Sequence, residues 1–287
     1  MAISRAEILK RLRAQVAAGK PIIGTGAGTG ISAKFEEAGG SDLIIIYNSG
    51  RYRMAGRGSL AGLLAYGDAN AIVMEMAGEV LPVVKNTPVL AGVNGTDPFR
   101  IMPVFLKQVK EVGFSGVQNF PTIGLFDGKI RQNFEATGMG YDKEVEMIAA
   151  AHALDLFTSP YVFNVDEAQA MVKAGGDLIV VHVGLTTAGS IGAAHAMTLD
   201  EAIYTVMTVA DAVWKLDKDR LVICHGGPFD EPDQVGTALA KMPGIAGFYG
   251  ASSAERLPTE RAIREQVASF KGLKLTKKIG RKMKDSG

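Results

Sequence analysis

The 287-residue chain has a single cysteine, Cys224. One thiol excludes an intramolecular disulfide framework and any zinc site built on several thiolates, and it fits a reducing compartment, so cytoplasm is the expected location. An excess of charge of one sign is lacking too: 31 Lys and Arg against 30 Asp and Glu leave a formal +1. Nothing there draws the whole molecule to nucleic acid or to an anionic membrane, and neither is expected as a partner. No uncharged apolar stretch approaches the roughly 18 residues a membrane helix needs, and the N-terminus mixes Arg5, Lys10, Arg11 and Arg13 with its apolar residues. A spanning helix and a signal peptide are both unsupported. Familiar chemical motifs are missing as well. The chain has no H-E-x-x-H, no C-x-x-C and no EF-hand loop, and Gly250-Ala251-Ser252-Ser253-Ala254 misses G-x-S-x-G by one residue. Metallopeptidase and serine-hydrolase chemistry are thereby set aside.

What the chain has in plenty is glycine and short apolar runs. Its 35 glycines exceed the roughly 7% of ordinary proteins and show no collagen period, so they serve turns or ligand loops. Hydrophobic residues make up 47% and supply a sizeable core. After an opening helix, marked by the capping pattern Ser4-Arg5-Ala6-Glu7 and the stripe Ile8, Leu12, Val16, eight solid apolar runs follow. They are Pro21 to Gly24, Leu43 to Tyr47, Pro88 to Val93, Gly116 to Phe120, Leu156 to Val162, Leu178 to Val183, Leu221 to Cys224 and Ile245 to Tyr249. Solid runs of this kind read as strands buried on both faces of a parallel sheet. Helix-compatible stretches separate them, with capping patterns at Asp166 with Gln169 and at Thr198 with Glu201. The stretch Ala71 to Met76 has strand character but is read as helix, because Met74, Met76, Ala77 and Glu79 are poor β formers. Strand and helix alternate eight times, which predicts an α/β fold, a (β/α)8 TIM barrel with an N-terminal helix. One domain over 1–272 and a basic, flexible tail over 273–287 are expected. From Lys271 on there are seven basic residues and one acidic, against 24 basic and 29 acidic before it, so a mildly acidic barrel carries a basic tail.

In such a barrel the loops after the strand C-termini form the active face, which directs attention to the polar residues ending each run. The first run leads into Gly24-Thr25-Gly26-Ala27-Gly28, which matches neither a Rossmann nor a Walker pattern and serves either a tight turn or close approach of a ligand. The second ends Tyr47-Asn48-Ser49-Gly50-Arg51-Tyr52-Arg53, where Arg51 or Arg53 offers a planar fork for a carboxylate or phosphate, or is simply solvated. The third ends in Asn94 and the fourth in Asn119, so three strand ends carry asparagine, as a polar pocket would require and as turns also favour. His182 in the sixth run and His225 after the seventh are proton-transfer candidates, or satisfied core histidines. His195 sits in the loop from Gly184 to Ala196, whose length suits a lid or an interface arm. Gly226 and Gly227, then Gly250, Ser252 and Ser253, follow the last two strands, the usual place for a phosphate in this architecture. Asp97, Asp127, Glu135 and Glu75 are the carboxylates that could serve a magnesium ion.

Several of these segments together resemble the phosphoenolpyruvate hydrolase-like TIM-barrel family: Gly24-Thr25-Gly26-Ala27-Gly28, Ile46-Tyr47-Asn48-Ser49-Gly50-Arg51, Asn119-Phe120-Pro121-Thr122, Glu135-Ala136-Thr137-Gly138-Met139-Gly140, His225-Gly226-Gly227-Pro228 and Gly250 to Arg256. The resemblance covers about residues 5 to 275. It implies a barrel related in outline to phosphoenolpyruvate mutase and isocitrate lyase, enzymes that use Mg²⁺ and act on small oxo or enol acids. The chain departs from that wider group in having no D-x-D at a third strand end of the kind that holds their metal. It also looks like the C-terminal part of plant proteins that confer tobamovirus resistance, where the barrel serves as a binding module. Two expectations follow. One is an enzyme that hydrolyses a small phosphorylated or phosphonate-bearing oxo or enol acid or cleaves its C–P or C–C bond. In that case Gly226, Gly227, Ser252 and Ser253 bind the oxyanion, Arg53 or Arg51 clamps a carboxylate, and His182 or His225 moves the proton; Asn48, Asn119, Gly24, Gly26, Ser49, Asn94 and Gly250 complete the candidate site. The other is a non-catalytic ligand-binding or protein-interaction barrel. A small anionic substrate, Mg²⁺ and a homo-oligomer complete the expected company.

Overall fold

Strands form wherever an apolar run is buried along its whole length. In the computed structural model, which describes residues 2–194 and 197–275, these are β1 (Ile22–Gly26), β2 (Leu43–Ile46), β3 (Val89–Val93), β4 (Gly116–Asn119), β5 (Phe157–Thr158), β6 (Tyr161–Val162), β7 (Leu178–His182), β8 (Leu221–His225) and β9 (Gly247–Gly250). All pairings are parallel, in the order β5-β4-β3-β2-β1-β9-β8-β7-β6. The two ends of that order are halves of one apolar run. Pro160 has no N–H to give, and the run bends there, so that β5 pairs with β4 and β6 with β7. The sheet therefore curls back on itself as the expected barrel of eight staves.

Helices cover the outside: α1 (Arg5–Ala17), α2 (Gly30–Ala38), α3 (Asn48–Met54), α4 (Ala69–Val80), α5 (Met102–Val112), α6 (Gly128–Ala136), α7 (Tyr141–Ala153), α8 (Val165–Lys173), α9 (Leu199–Leu216), α10 (Pro232–Lys241) and α11 (Leu257–Lys271). Ser4 caps α1 by accepting from Glu7 N–H, and Thr198 with Glu201 closes a full capping box on α9. The stretch Ala71 to Met76 lies in α4, whose N-cap is Asp68. One start differs from the sequence reading: α8 is capped by Asn164, whose Oδ1 accepts from Glu167 N–H at 2.9 Å, two residues before the Asp166 expected.

The upper barrel interior alternates large rings with glycines. Tyr47, Phe120, Tyr161, His182, His225 and Tyr249 project inward at the strand C-termini, with Tyr47 and Phe120 centroids 4.7 Å apart. Glycines make room for them, since a Cβ at Gly24 would overlap the Tyr249 ring and one at Gly92 would overlap Tyr47. Gly24→Ala is accordingly expected to destabilise by about 1–3 kcal/mol through overpacking, read as a lower urea midpoint at unchanged slope.

The last helix stands apart. Of α11, Leu257 alone is buried, and Ile263, Val267 and Phe270, spaced to share one face, are each about 60% exposed. In a (β/α)8 shell the helix after the last strand lies beside the helix after the first. On that helix, α2, Ile31 and Phe35 are 68% and 64% exposed. The basic tail expected over 273–287 falls, from residue 276 onward, outside the described residues.

Candidate active site at the strand C-termini

A cavity opens at the C-terminal end of the barrel. Its floor is Tyr47, Phe120, Tyr161, His182 and His225, and Ser49 and Ser252 flank it. Ser59 and Leu60 cover it from the loop after β2, and Gly184, Leu185 and Thr186 from the loop after β7. A second, adjoining cavity shares Ser59, Leu60, Leu185, Thr186 and Ser252 and adds Arg256. The two loops therefore roof one continuous mouth, as a lid would.

The histidines stand side by side because β7 and β8 pair in register, His182 opposite His225, with ring centroids 4.6 Å apart. Their hydrogen bonds fix opposite tautomers. His225 Nδ1 lies 2.7 Å from the Tyr249 carbonyl, which can only accept, so Nδ1 carries the proton and Nε2 keeps a lone pair. His182 Nδ1 instead accepts from Gly184 N–H at 3.0 Å, so in the neutral ring Nε2 carries the proton. Burial keeps both rings neutral: it pushes His225 down to about 4, and burial beside His225 pushes His182 well below its ordinary range. One imidazole is thus poised to take a proton and its neighbour to donate a hydrogen bond. Tyr161 stacks on His225 at 5.0 Å, and Phe163 packs on His182 at 4.9 Å, fixing both rings.

Beneath the histidines the polar groups are under-satisfied. The hydroxyls of Tyr161 and Tyr249 and Nη1 of Arg53 are buried without a hydrogen-bond partner. Each such group costs about 1–3 kcal/mol, which makes a cluster of them a binding surface more readily than a core.

The structure places the other candidates as follows. Arg53 is buried, its Nε and Nη2 held by Glu255 Oε2 (2.8 and 2.5 Å) and Nη2 also by the Gly26 carbonyl at 2.7 Å. Most of its fork is spent on Glu255, so a bidentate clamp on a substrate carboxylate is not on offer. Arg51 pairs with Glu75 on the surface at 2.7 Å. Asn48 is a brace, its amide donating to the Gly62 carbonyl at 2.9 Å and its oxygen accepting from Ser49 N–H at 2.9 Å. Asn119 is another: it donates to Glu144 Oε2 at 2.6 Å and accepts from Tyr161 N–H at 2.7 Å. Asn94 bonds Thr96 and Asn70, away from the histidines. Ser49 reaches the cavity wall but gives its hydroxyl to the Ser59 carbonyl, fastening the first loop.

The glycines have mainly steric work. Gly26 brings β1 close to the Tyr47 hydroxyl, and Gly250 pairs in register with Thr25. Gly226 and Gly227 adopt positive φ, and Gly227 N–H donates to the Gly184 carbonyl at 2.9 Å, which ties down the second loop instead of facing an oxyanion. Of the expected oxyanion group, Ser252 lines the cavity and Ser253 is not among its lining residues. His195 lies outside the described residues.

The carboxylates do not gather. Asp97 accepts from Asn70, Arg100 and Phe99 N–H, Glu135 holds Arg131 at 2.6 Å, and Asp127 is exposed at the start of α6. Among the described residues no group of three or more His, Cys, Asp or Glu could hold a metal, and no carboxylate lines the cavity. Mg²⁺ binds through one or two carboxylates in sites of this kind, so the residues present at the cavity do not fit it. Sequence reasoning missed Tyr47, Tyr161, Tyr249, Glu255 and Arg256. Tyr47 and Tyr249 each end an apolar run and were legible on that ground; Glu255 reaches Arg53 across 202 positions and was not.

The α/β barrel fold is shared with solved proteins such as 2,3-dimethylmalate lyase, a phosphoenolpyruvate mutase/isocitrate lyase superfamily member (TM-score 0.57, 16% identity, 96% of this chain and 92% of that one). The chain is similar to an oxaloacetate acetylhydrolase solved with the inhibitor 3,3-difluorooxalacetate (TM-score 0.60, 14% identity, 94% of this chain and 88% of that one). It is similar also to a phosphonopyruvate hydrolase solved with oxalate and Mg²⁺ (TM-score 0.55, 17% identity, 92% and 87%). More particularly, the chain belongs to the phosphoenolpyruvate hydrolase-like family, whose model matches residues 7–273. The tomato (Solanum lycopersicum) ToMV resistance protein Tm-1(GCR237) is 62% identical over 271 residues, 94% of this chain and 36% of that protein. A Sinorhizobium fredii protein, y4pA, is 34% identical over 276 residues, 94% of this chain and 44% of its own length. The chain spans little more than a third of the tomato relatives it matches. Among the described residues no helix is long and apolar enough to cross a membrane.

Proposed function

We propose that the barrel is an enzyme acting on a small phosphorylated or phosphonate-bearing oxo or enol acid, by hydrolysis or by C–P or C–C cleavage. The observation that carries this reading is the histidine pair with opposite tautomers at one cavity. His225 Nε2 takes a proton from water or substrate, His182 Nε2–H donates a hydrogen bond to the departing or developing oxygen, and the roofing loops exclude bulk water. Ser252 at the cavity wall receives the anionic group; the Arg256 guanidinium at the adjoining mouth is held by Glu260 and the Ala188 carbonyl. The solved neighbours that act on phosphonopyruvate and oxaloacetate support the substrate class.

The test is direct. Purified chain is incubated with phosphoenolpyruvate, phosphonopyruvate and oxaloacetate, each with Mg²⁺ and with EDTA, and release of pyruvate, phosphate and oxalate is followed. Turnover that His225→Asn abolishes supports the proposal; no turnover of any of these acids overturns it. A second reading, a non-catalytic binding barrel, is favoured by the 62% identity to the tomato ToMV resistance protein. It predicts that His182 and His225 can each be replaced with function intact.

We propose in addition that the chain self-associates through α11. Its bare Ile263, Val267 and Phe270 face and the bare Ile31 and Phe35 on α2 are the two halves of a shell contact left unmade within one copy, and a second copy supplies the missing half. Wild type is expected to run as an oligomer in light scattering and Val267→Glu/Phe270→Glu as a monomer. A monomeric wild type would refute it.

A further inference from the structure

We infer that the hydroxyls of Tyr47 and Tyr161, backed by the free Nη1 of Arg53, form an oxyanion site that holds the carboxylate or enolate oxygen of a small acid without a divalent cation. This deepens the proposal of a small-acid enzyme by naming what neutralises the substrate.

The geometry is specific. Tyr47 and Tyr161 both line the floor of the cavity, and Tyr161 stacks on His225, whose Nε2 lone pair is free. Arg53 Cζ lies 5.8 Å from the Tyr47 ring centroid, and its Nη2 is fixed on the Gly26 carbonyl, where a Cβ on Gly26 would stand 2.9 Å from the Tyr47 hydroxyl. The Tyr47 hydroxyl thus sits beside the guanidinium. Arg53 Nη1 and the Tyr161 hydroxyl, both deeply buried, close no hydrogen bond with any protein group. The Tyr47 and Tyr161 side chains line the cavity and Arg53 lies behind them; buried donors without a partner engage a negatively charged oxygen readily, and charge-assisted bonds are the strong ones.

The donors also stay donors. Burial raises the Tyr47 and Tyr161 hydroxyls above their ordinary range, so both keep their protons at every working pH. Glu255 already balances one charge on Arg53, so the site is a low-polarity pocket with directed N–H and O–H groups and not a bare cation. That selects a small, planar oxyanion over a bulky polyanion. A metal-dependent arrangement would need carboxylates facing the same space, and among the described residues none lines the cavity.

Oxalate, a planar dianion resembling the enolate of a small oxo acid, is the probe. Calorimetric titration of the whole chain in EDTA is expected to show oxalate binding. Tyr161→Phe and Tyr47→Phe should each weaken it about 10-fold or more, whereas Tyr204→Phe, on the surface, should not. Binding in EDTA that both phenylalanine variants lose, with circular dichroism unchanged, supports the site even if no acid is turned over; that outcome removes the proposed reaction and leaves the oxyanion site standing. Binding that appears with Mg²⁺ and vanishes in EDTA, absence of oxalate binding, or full-strength binding by both variants each overturns it.

Discussion

Replacing His225 by asparagine is expected to lower kcat by about 10²–10⁴-fold, the usual worth of a positioned proton-transfer group. Asparagine is the informative choice because its amide can still donate to the Tyr249 carbonyl, as Nδ1–H does at 2.7 Å, while the Nε2 lone pair is gone. The loss then reports the base and not a displaced strand. His182 calls for the opposite design. Its Nε2 donates, so His182→Gln, which places an N–H near the same point, should retain more activity than His182→Ala. The pH profile separates this arrangement from an ordinary histidine base. With His225 held down to about 4 by burial, the acid limb of kcat/KM should fall through pH about 4, not through the ordinary value near 6.5. Stability follows the same group. The unfolded chain binds a proton at His225 as pH drops below about 6.5, and the folded chain does so below about 4, so stability present above 6.5 is lost across that window. For a shift of this size the loss is about 3 kcal/mol, and His225→Asn should flatten the fall in urea midpoints between pH 7 and pH 4.

The barrel was legible because its strands are solid apolar runs. Full burial on both faces leaves no alternation to misread, and each of the eight runs became a stave. The bend at Pro160 splits one of them into β5 and β6, a detail carried by a single missing N–H. The meeting of the two candidate histidines was legible, because they end adjacent strands and pair through register. The roles of the asparagines were not legible. Asn48 and Asn119 sit at strand ends for the reason an active-site residue would, yet their amides are consumed in bracing a loop and a strand bend. A strand-end position is shared by ligand groups and by braces, and what divides them is whether a partner stands within hydrogen-bond reach, which sequence spacing does not carry. Glycine posed the same ambiguity. Gly24 and Gly92 give their missing side chains to aromatic rings, and Gly227 gives its N–H to a loop.

Breaking the buried Arg53–Glu255 pair should cost a large part of the molecule's stability. Both side chains are about 1% exposed, joined at 2.5 Å, and Glu255 Oε1 also accepts from Gly28 N–H at 2.6 Å. Glu255→Ala leaves a guanidinium buried with the Gly26 carbonyl as its remaining partner, and a loss of about 3–5 kcal/mol is expected from urea unfolding. Arg53→Met strands the carboxylate and should cost a similar amount. The double variant Arg53→Met/Glu255→Met should be closer to wild type than either single loss would suggest, because no unpaired charge is left in the interior. That stable double variant then decides what the pair is for. If the ion pair served packing alone, the variant would keep oxalate affinity; with Arg53 Nη1 as part of the oxyanion site, it should fold cooperatively and yet bind oxalate at least 10-fold more weakly than wild type in EDTA.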